Sequence, residues 1–158
     1  MRRTQIGSLL VATVFLAAAC TTMMDRPPAD PQAVVNERIA VMKGFVGALA
    51  TSGQYLQGKT TAAAAKTKLA AARQGAGRLE NLFPRGTALG DRGVSESRAL
   101  STIFANRSDF DDKREALVAA LADLDTALGG SKEAAAKAIQ STKDACLACH
   151  NRYRAPGD

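Results

Sequence analysis

The sequence predicts an all-α chain, an antiparallel up-down four-helix bundle, and three observations carry that prediction. Alanine supplies 32 of the 158 residues, and with Leu, Lys, Arg and Glu it ranks among the best helix formers. Apolar residues recur every three or four positions in four separate stretches, the period of a helix with one buried face. Capping and breaking residues separate those stretches, and no alternating strand pattern lies between them. Alanine side chains bury little area each, so a core rich in them gains from an added apolar body such as a bound cofactor.

The first helix is expected to start at Asp30 and Pro31, a capping residue followed by one suited to the first turn. Val35, Ile39, Met42, Phe45, Val46 and Leu49 then form one stripe, which ends near Gly58. Thr60 or Thr61 caps the second helix, whose face carries Ala65, Leu69, Ala72, Ala76, Leu79 and Leu82 before Pro84 closes it. Gly75 and Gly77 each weaken that helix by about 1 kcal/mol relative to Ala, so they mark a tight helix approach or a frayed second half. Residues 84–107 read as a long crossover with a helical turn around Ala99–Phe104.

The third helix is expected to be capped by Ser108, with Asp109, Asp111 and Asp112 favouring the positive end of its dipole. Phe110, Leu117, Leu121, Leu124 and Leu128 make its stripe, and Gly129-Gly130 stop it. Ser131 caps the fourth helix, with Glu133 in its first turn. Its stripe of Ala135, Ile139, Thr142, Cys146, Cys149 and Tyr153 continues until Pro156 forbids more helix. Four helices of about 20 residues, each about 30 Å long, make one bundle over residues 31–156.

Residues 1–19 read as a secretory signal peptide. Arg2 and Arg3 precede an apolar core from Ile6 to Leu16 and the small residues Ala17-Ala18-Ala19, too short a run to span a membrane. Cys20 follows a loose lipobox in which Ala17 stands where a larger apolar residue is usual, so lipidation of Cys20 is expected. Residues 20–30 then serve as a lipidated or flexible tether. The expected location is periplasmic and lipid-anchored, with Thr21 rather than an acid beside the cysteine favouring the outer membrane over the inner. Net charge is +6. Residues 1–19 hold two of the bases and no acid, and the remaining bases alternate with acids along helices, which argues against a nucleic-acid surface.

The strongest chemical signal is Cys146-Leu147-Ala148-Cys149-His150. Two thiols three residues apart on a helix share one side and can each add to a vinyl group of one porphyrin. The neighbouring imidazole can then bind its iron. Attachment of this kind takes place outside the bacterial cytoplasm, in agreement with an export signal. Competing readings are weaker. A thioredoxin-like pair wants a strand-turn-helix context, a structural zinc site wants four ligands where this chain has one His, and a disulfide over three helical residues is strained. One covalent haem c is therefore the expected cofactor.

With the attachment motif on the last helix of a four-helix bundle, residues 31–156 resemble the cytochrome c′ and cytochrome c556 family. The resemblance implies that Arg38, near a haem propionate, is followed four residues later by the distal residue, here Met42. In low-spin c556-type members that methionine binds iron, whereas high-spin c′-type members carry a bulky apolar residue there and stay five-coordinate. The resemblance further implies pocket roles for Phe45, Tyr153 and Arg154 and for Ile103-Phe104, with Phe104 where a Trp is more usual. It also implies a homodimer through helices one and two.

Two functions follow. The expected one is an electron carrier in which His150 and Met42 both bind iron, since both oxidation states then keep one coordination geometry, and the alternative is a gas-binding protein. An open site instead binds nitric oxide or carbon monoxide. A methionine on a buried stripe can equally be core filler. An enzyme is not expected, because no second catalytic group accompanies the single histidine. The redox partner is not legible in the sequence.

Overall fold

The computed structural model describes residues 27–157, so the signal peptide, Cys20 and most of the expected tether lie outside the described residues. The chain forms α1 (Pro31–Leu56), α2 (Ala62–Arg78), a short α3 (Thr102–Ala105), α4 (Arg107–Ala127) and α5 (Lys132–Tyr153). No described helix is long and apolar enough to cross a membrane. Three of the four long helices begin at the residues whose side chains can satisfy free N–H groups. Asp30 accepts from Ala33 N at 2.9 Å, Thr61 Oγ1 from Ala64 N at 3.1 Å, and Ser131 Oγ from Ala134 N at 3.1 Å.

α4 departs from the expected start. Its flanking residue is Asn106, which makes no side-chain cap, and Ser108 lies inside the first turn. The chain leaves α3 through Asn106 at φ −127°, ψ 43° and re-enters helix at once. Arg107 holds the junction, giving Nε to Asp111 Oδ2 at 2.9 Å and its terminal nitrogens to the carbonyls of Phe83 and Glu80. Likewise α2 ends at Arg78 rather than at Pro84, and Leu79–Asn81 continue it as a 3-10 turn.

α1 packs along α2 and α4 along α5, while α2 against α4 and α1 against α5 close the ring. The buried stripes meet in one core that includes Phe45, Leu69, Phe110, Leu121, Leu124 and Ile139. Gly75 explains how α1 and α2 come close. A Cβ there would sit 3.1 Å from Val41 Cγ1, whereas Gly77 has nothing within 4 Å.

The crossover from Leu82 to Ser101 does more than span a gap. Gly90 and Gly93 turn it with φ of +86° and +75°, a conformation that glycine reaches without strain. Its return leg pairs with the chain just after α5. Ala99 and Arg154 form an antiparallel bridge, Leu100 N donates to Tyr153 O at 2.9 Å, and Ala155 N donates to Arg98 O at 2.8 Å. The end of α5 is thereby held from outside the helix.

Candidate haem site

The last turns of α5 carry Cys146, Cys149 and His150, all half-buried and all lining one cavity of about 780 Å³. Both cysteines are free thiols. Burial pushes the Cys146 thiol up, and pushes Cys149 to about 11. Burial also lowers His150, helped by the positive charges of Arg154 and Arg98. The imidazole is therefore neutral at neutral pH, the form that binds a metal. Among the described residues no three His, Cys, Asp or Glu side chains gather into a site for a bare metal ion.

Tyr153 closes the end of the cavity. It is 2% exposed, and its hydroxyl donates to Asp109 Oδ2 at 2.5 Å, with Asn106 O at 3.3 Å. Its ring meets Phe110 edge-on, centroids 5.3 Å apart. Burial, and then the Asp109 carboxylate, push its hydroxyl up to about 12. The same hydrogen bond holds Asp109 below the usual carboxylate range, helped by Lys113 and Arg152.

α1 forms the opposite wall. Met42, Phe45, Val46 and Leu49 line it, so the start of α1 lies beside the end of α5, as antiparallel packing requires. Arg38 sits one turn before Met42 and is 5% exposed. Its Nη1 donates to Leu82 O at 3.0 Å and Thr87 Oγ1 at 3.2 Å, and its Nη2 donates to Thr87 O and Ser97 Oγ, each at 2.8 Å. The guanidinium lies 4.7 Å from the Phe83 ring centroid. Burial pulls its pKa down to about 10, still well above neutrality, so it stays charged. Arg38 thus borders the cavity, and both terminal nitrogens bond to the crossover.

The cavity suits a flat, largely apolar, dianionic group with one metal. Its volume falls within the usual range for cofactor pockets. Its walls include Val46 and Leu147, left 68% and 53% exposed, the kind of apolar surface a macrocycle would cover. Two thiols and one neutral imidazole come from a single helix face. Arg98, Arg114 and Arg154 supply positive charge at the lining, against one acid, Glu96. Glu96 itself is held at φ +59°, in a region that L-residues enter rarely.

The family model described as Cytochrome C' matches residues 33–154. The chain belongs to the cytochrome c′ family. Its cofactor is accordingly covalently attached haem c. Solved structures agree in fold. The cytochrome c′ from Rhodobacter Spheriodes shares 24% identity with a TM-score of 0.72, over 82% of this chain and 100% of that one. A nitric oxide complex of a variant cytochrome c prime from Alcaligenes xylosoxidans shares 20% identity with a TM-score of 0.70, over 82% and 99%. A cytochrome c′ whose dimer dissociates under ligand control shares 23% identity with a TM-score of 0.72, again over 82% and 99%. No curated protein matches the chain significantly in sequence.

Of the residues singled out in the sequence, Cys146, Cys149, His150, Met42, Arg38, Phe45, Tyr153 and Arg154 all line the one cavity. Phe104 does not. It packs against the core edge with the Arg85 guanidinium 5.1 Å from its ring, and its neighbour Ile103 takes the lining position. In the short α3 these two point in different directions, and the fully buried one is Ile103. Arg98 and the Asp109 contact with Tyr153 were missed. Asp109 reads locally as a dipole partner of α4, and nothing in the sequence ties Arg98 to the end of α5.

Proposed function

We propose that this cytochrome c′ family member binds a small diatomic gas, nitric oxide or carbon monoxide, at an open haem iron. In this reading Cys146 and Cys149 hold the porphyrin by two thioether bonds and His150 is the axial ligand. The bound haem supplies an iron that can accept a diatomic ligand. The chain's own residues do the rest. His150 is kept neutral and aimed into the cavity, while Phe45, Met42 and Leu49 make the facing wall apolar and restrict water. That apolar wall, with no histidine or acid on it, carries the reading, and the nitric oxide complex of the Alcaligenes xylosoxidans relative supports it. The protein is read as a binding protein, not an enzyme.

One observation favours a second reading. Met42 lines the cavity from α1, and its flexible thioether could serve as sixth ligand, making a His/Met electron carrier. Carbon monoxide titration of the reduced protein separates the two. The gas-binding reading expects a five-coordinate, high-spin haem that takes carbon monoxide readily and a Met42→Leu variant with an unchanged spectrum. A low-spin wild type that becomes high-spin in Met42→Leu would overturn it in favour of electron transfer.

We also propose export to the periplasm, with cleavage after residue 19 and a lipid on Cys20, because loading of a Cys-x-x-Cys-His motif and the N-terminal pattern agree. The mass of the native N-terminal peptide decides this, and an unmodified Cys20 would sink the anchor. A homodimer through α1 and α2 is proposed by analogy with the dimeric relative.

A further inference from the structure

The net charge of the described domain resides at the cavity. Seven Lys or Arg residues and one acid line it, whereas the remainder of residues 27–157 holds eleven Lys or Arg against twelve Asp or Glu. Two propionates would offset only part of that excess. Several of the lining cations are already engaged. Arg38 is committed to the crossover, Arg98 gives Nη2 to Ala155 O at 2.7 Å, Lys113 pairs with Asp109 at 3.3 Å, and Arg114 pairs with Asp111 and Glu115. Lys43 and Lys143 are different. Both are exposed, and neither makes an ion pair or side-chain hydrogen bond among the described residues. They sit on α1 and α5, which pack against each other and both line the cavity. Lys43 lies three residues before the exposed Val46 on α1, and Lys143 lies four before the exposed Leu147 on α5. Each lysine is therefore on the same helix face as an apolar residue at the cavity rim.

From this geometry we propose that the cavity mouth, through its exposed lining residues Lys43 and Lys143, docks an acidic protein that gives one electron to the ferric iron. The donor protein loses one electron, the iron gains it, and no bond or proton moves. The proposal rests on the haem occupying this cavity and holds in either ligation state, since gas binding to ferrous iron and electron carriage both need an outside donor. A focused positive field at the cavity mouth would steer an acidic partner to the opening of the cavity that would hold the haem. The cavity is concave and lined by α1, α4, α5 and the crossover, which fits a complementary protein face better than a flat lipid surface.

The test follows oxidation of the ferrous holoprotein by ferricyanide, an anion, and by a tris-phenanthroline cobalt(III) cation, at several ionic strengths. Poly-glutamate or phosphatidylglycerol vesicles are added as competitors. The ferricyanide rate should fall with salt, and Lys43→Glu with Lys143→Glu should lower it roughly tenfold at low salt while raising the cobalt rate. Poly-glutamate should slow wild type and not the double variant. The carbon monoxide affinity and spectrum of the double variant should match wild type, which separates docking from the gas-binding reading. Equal salt responses for the two oxidants would overturn the proposal. So would protection by the vesicles alone, which would assign the patch to a membrane surface. An altered haem spectrum in the double variant would place the lysines in the haem site and overturn it too.

Discussion

At the scale of single residues, Arg38 shows how a charge can be buried and still favour the fold. A guanidinium cannot shed its charge at neutral pH, so its burial is sustained only by saturating its donors. Four hydrogen bonds to Leu82, Thr87 and Ser97 do this, and the Phe83 ring covers one face. Arg38→Met keeps the apolar stem but strands the Leu82 carbonyl. It should cost about 3 kcal/mol in a denaturant titration. Arg38→Lys should recover part of that, because an ammonium offers fewer donors in a less suitable geometry. Equal stability of wild type and Arg38→Met would show that the crossover does not depend on this side chain. These partners lie 44 to 59 residues from Arg38 in sequence, and none is an acid. No local pattern marks them, so the residue was legible as special while these bonds to the crossover were not.

At the scale of elements, the helices were legible where their ends are chemically local. Asp30, Thr61 and Ser131 cap the turns that immediately follow them, and the α2 and α4 stripes bury as their period predicts. α1 instead buries Val41, Ala48 and Ser52 beside Val35 and Phe45 and leaves Val46 of its expected stripe exposed. The start of α4 was not legible, because Arg107 sets it through carbonyls contributed by Glu80 and Phe83. Ile103 and Phe104 could not be told apart for a similar reason: which of them faces inward depends on how a four-residue helix docks. The two glycines of α2 give a paired prediction. Gly77→Ala meets open space and should gain the helix propensity of alanine, about 1 kcal/mol. Gly75→Ala would bring its Cβ to 3.1 Å from the buried Val41, whose branched side chain is stiff in a helix. It should therefore lose stability through crowding. Thermal melts of the two variants check this, and a stabilised Gly75→Ala would show that α1 and α2 can separate without cost.

At the scale of the whole molecule, the α4–α5 junction and the crossover hold in place the turn of α5 that carries Cys149 and His150, and the junction should limit the pH range of the fold. Tyr153 has its hydroxyl pKa raised from 10 to about 12. Its contribution is therefore complete below pH 10 and is lost as pH rises toward 12. Asp109 is held below its ordinary 3.8, so its contribution is present above that value and fades as pH falls through the lowered one. Tyr153→Phe should remove the alkaline step from a plot of Tm against pH, and an unchanged alkaline limb would place that transition elsewhere. The proposed function rests on haem held covalently by Cys146 and Cys149 beside His150. Acidified-acetone extraction of the purified protein, followed by intact-mass measurement, tests that most directly. All haem should stay with the wild-type chain as one added haem per chain, and none should remain on a variant carrying both Cys146→Ala and Cys149→Ala. Release of the haem from wild-type protein would contradict the account.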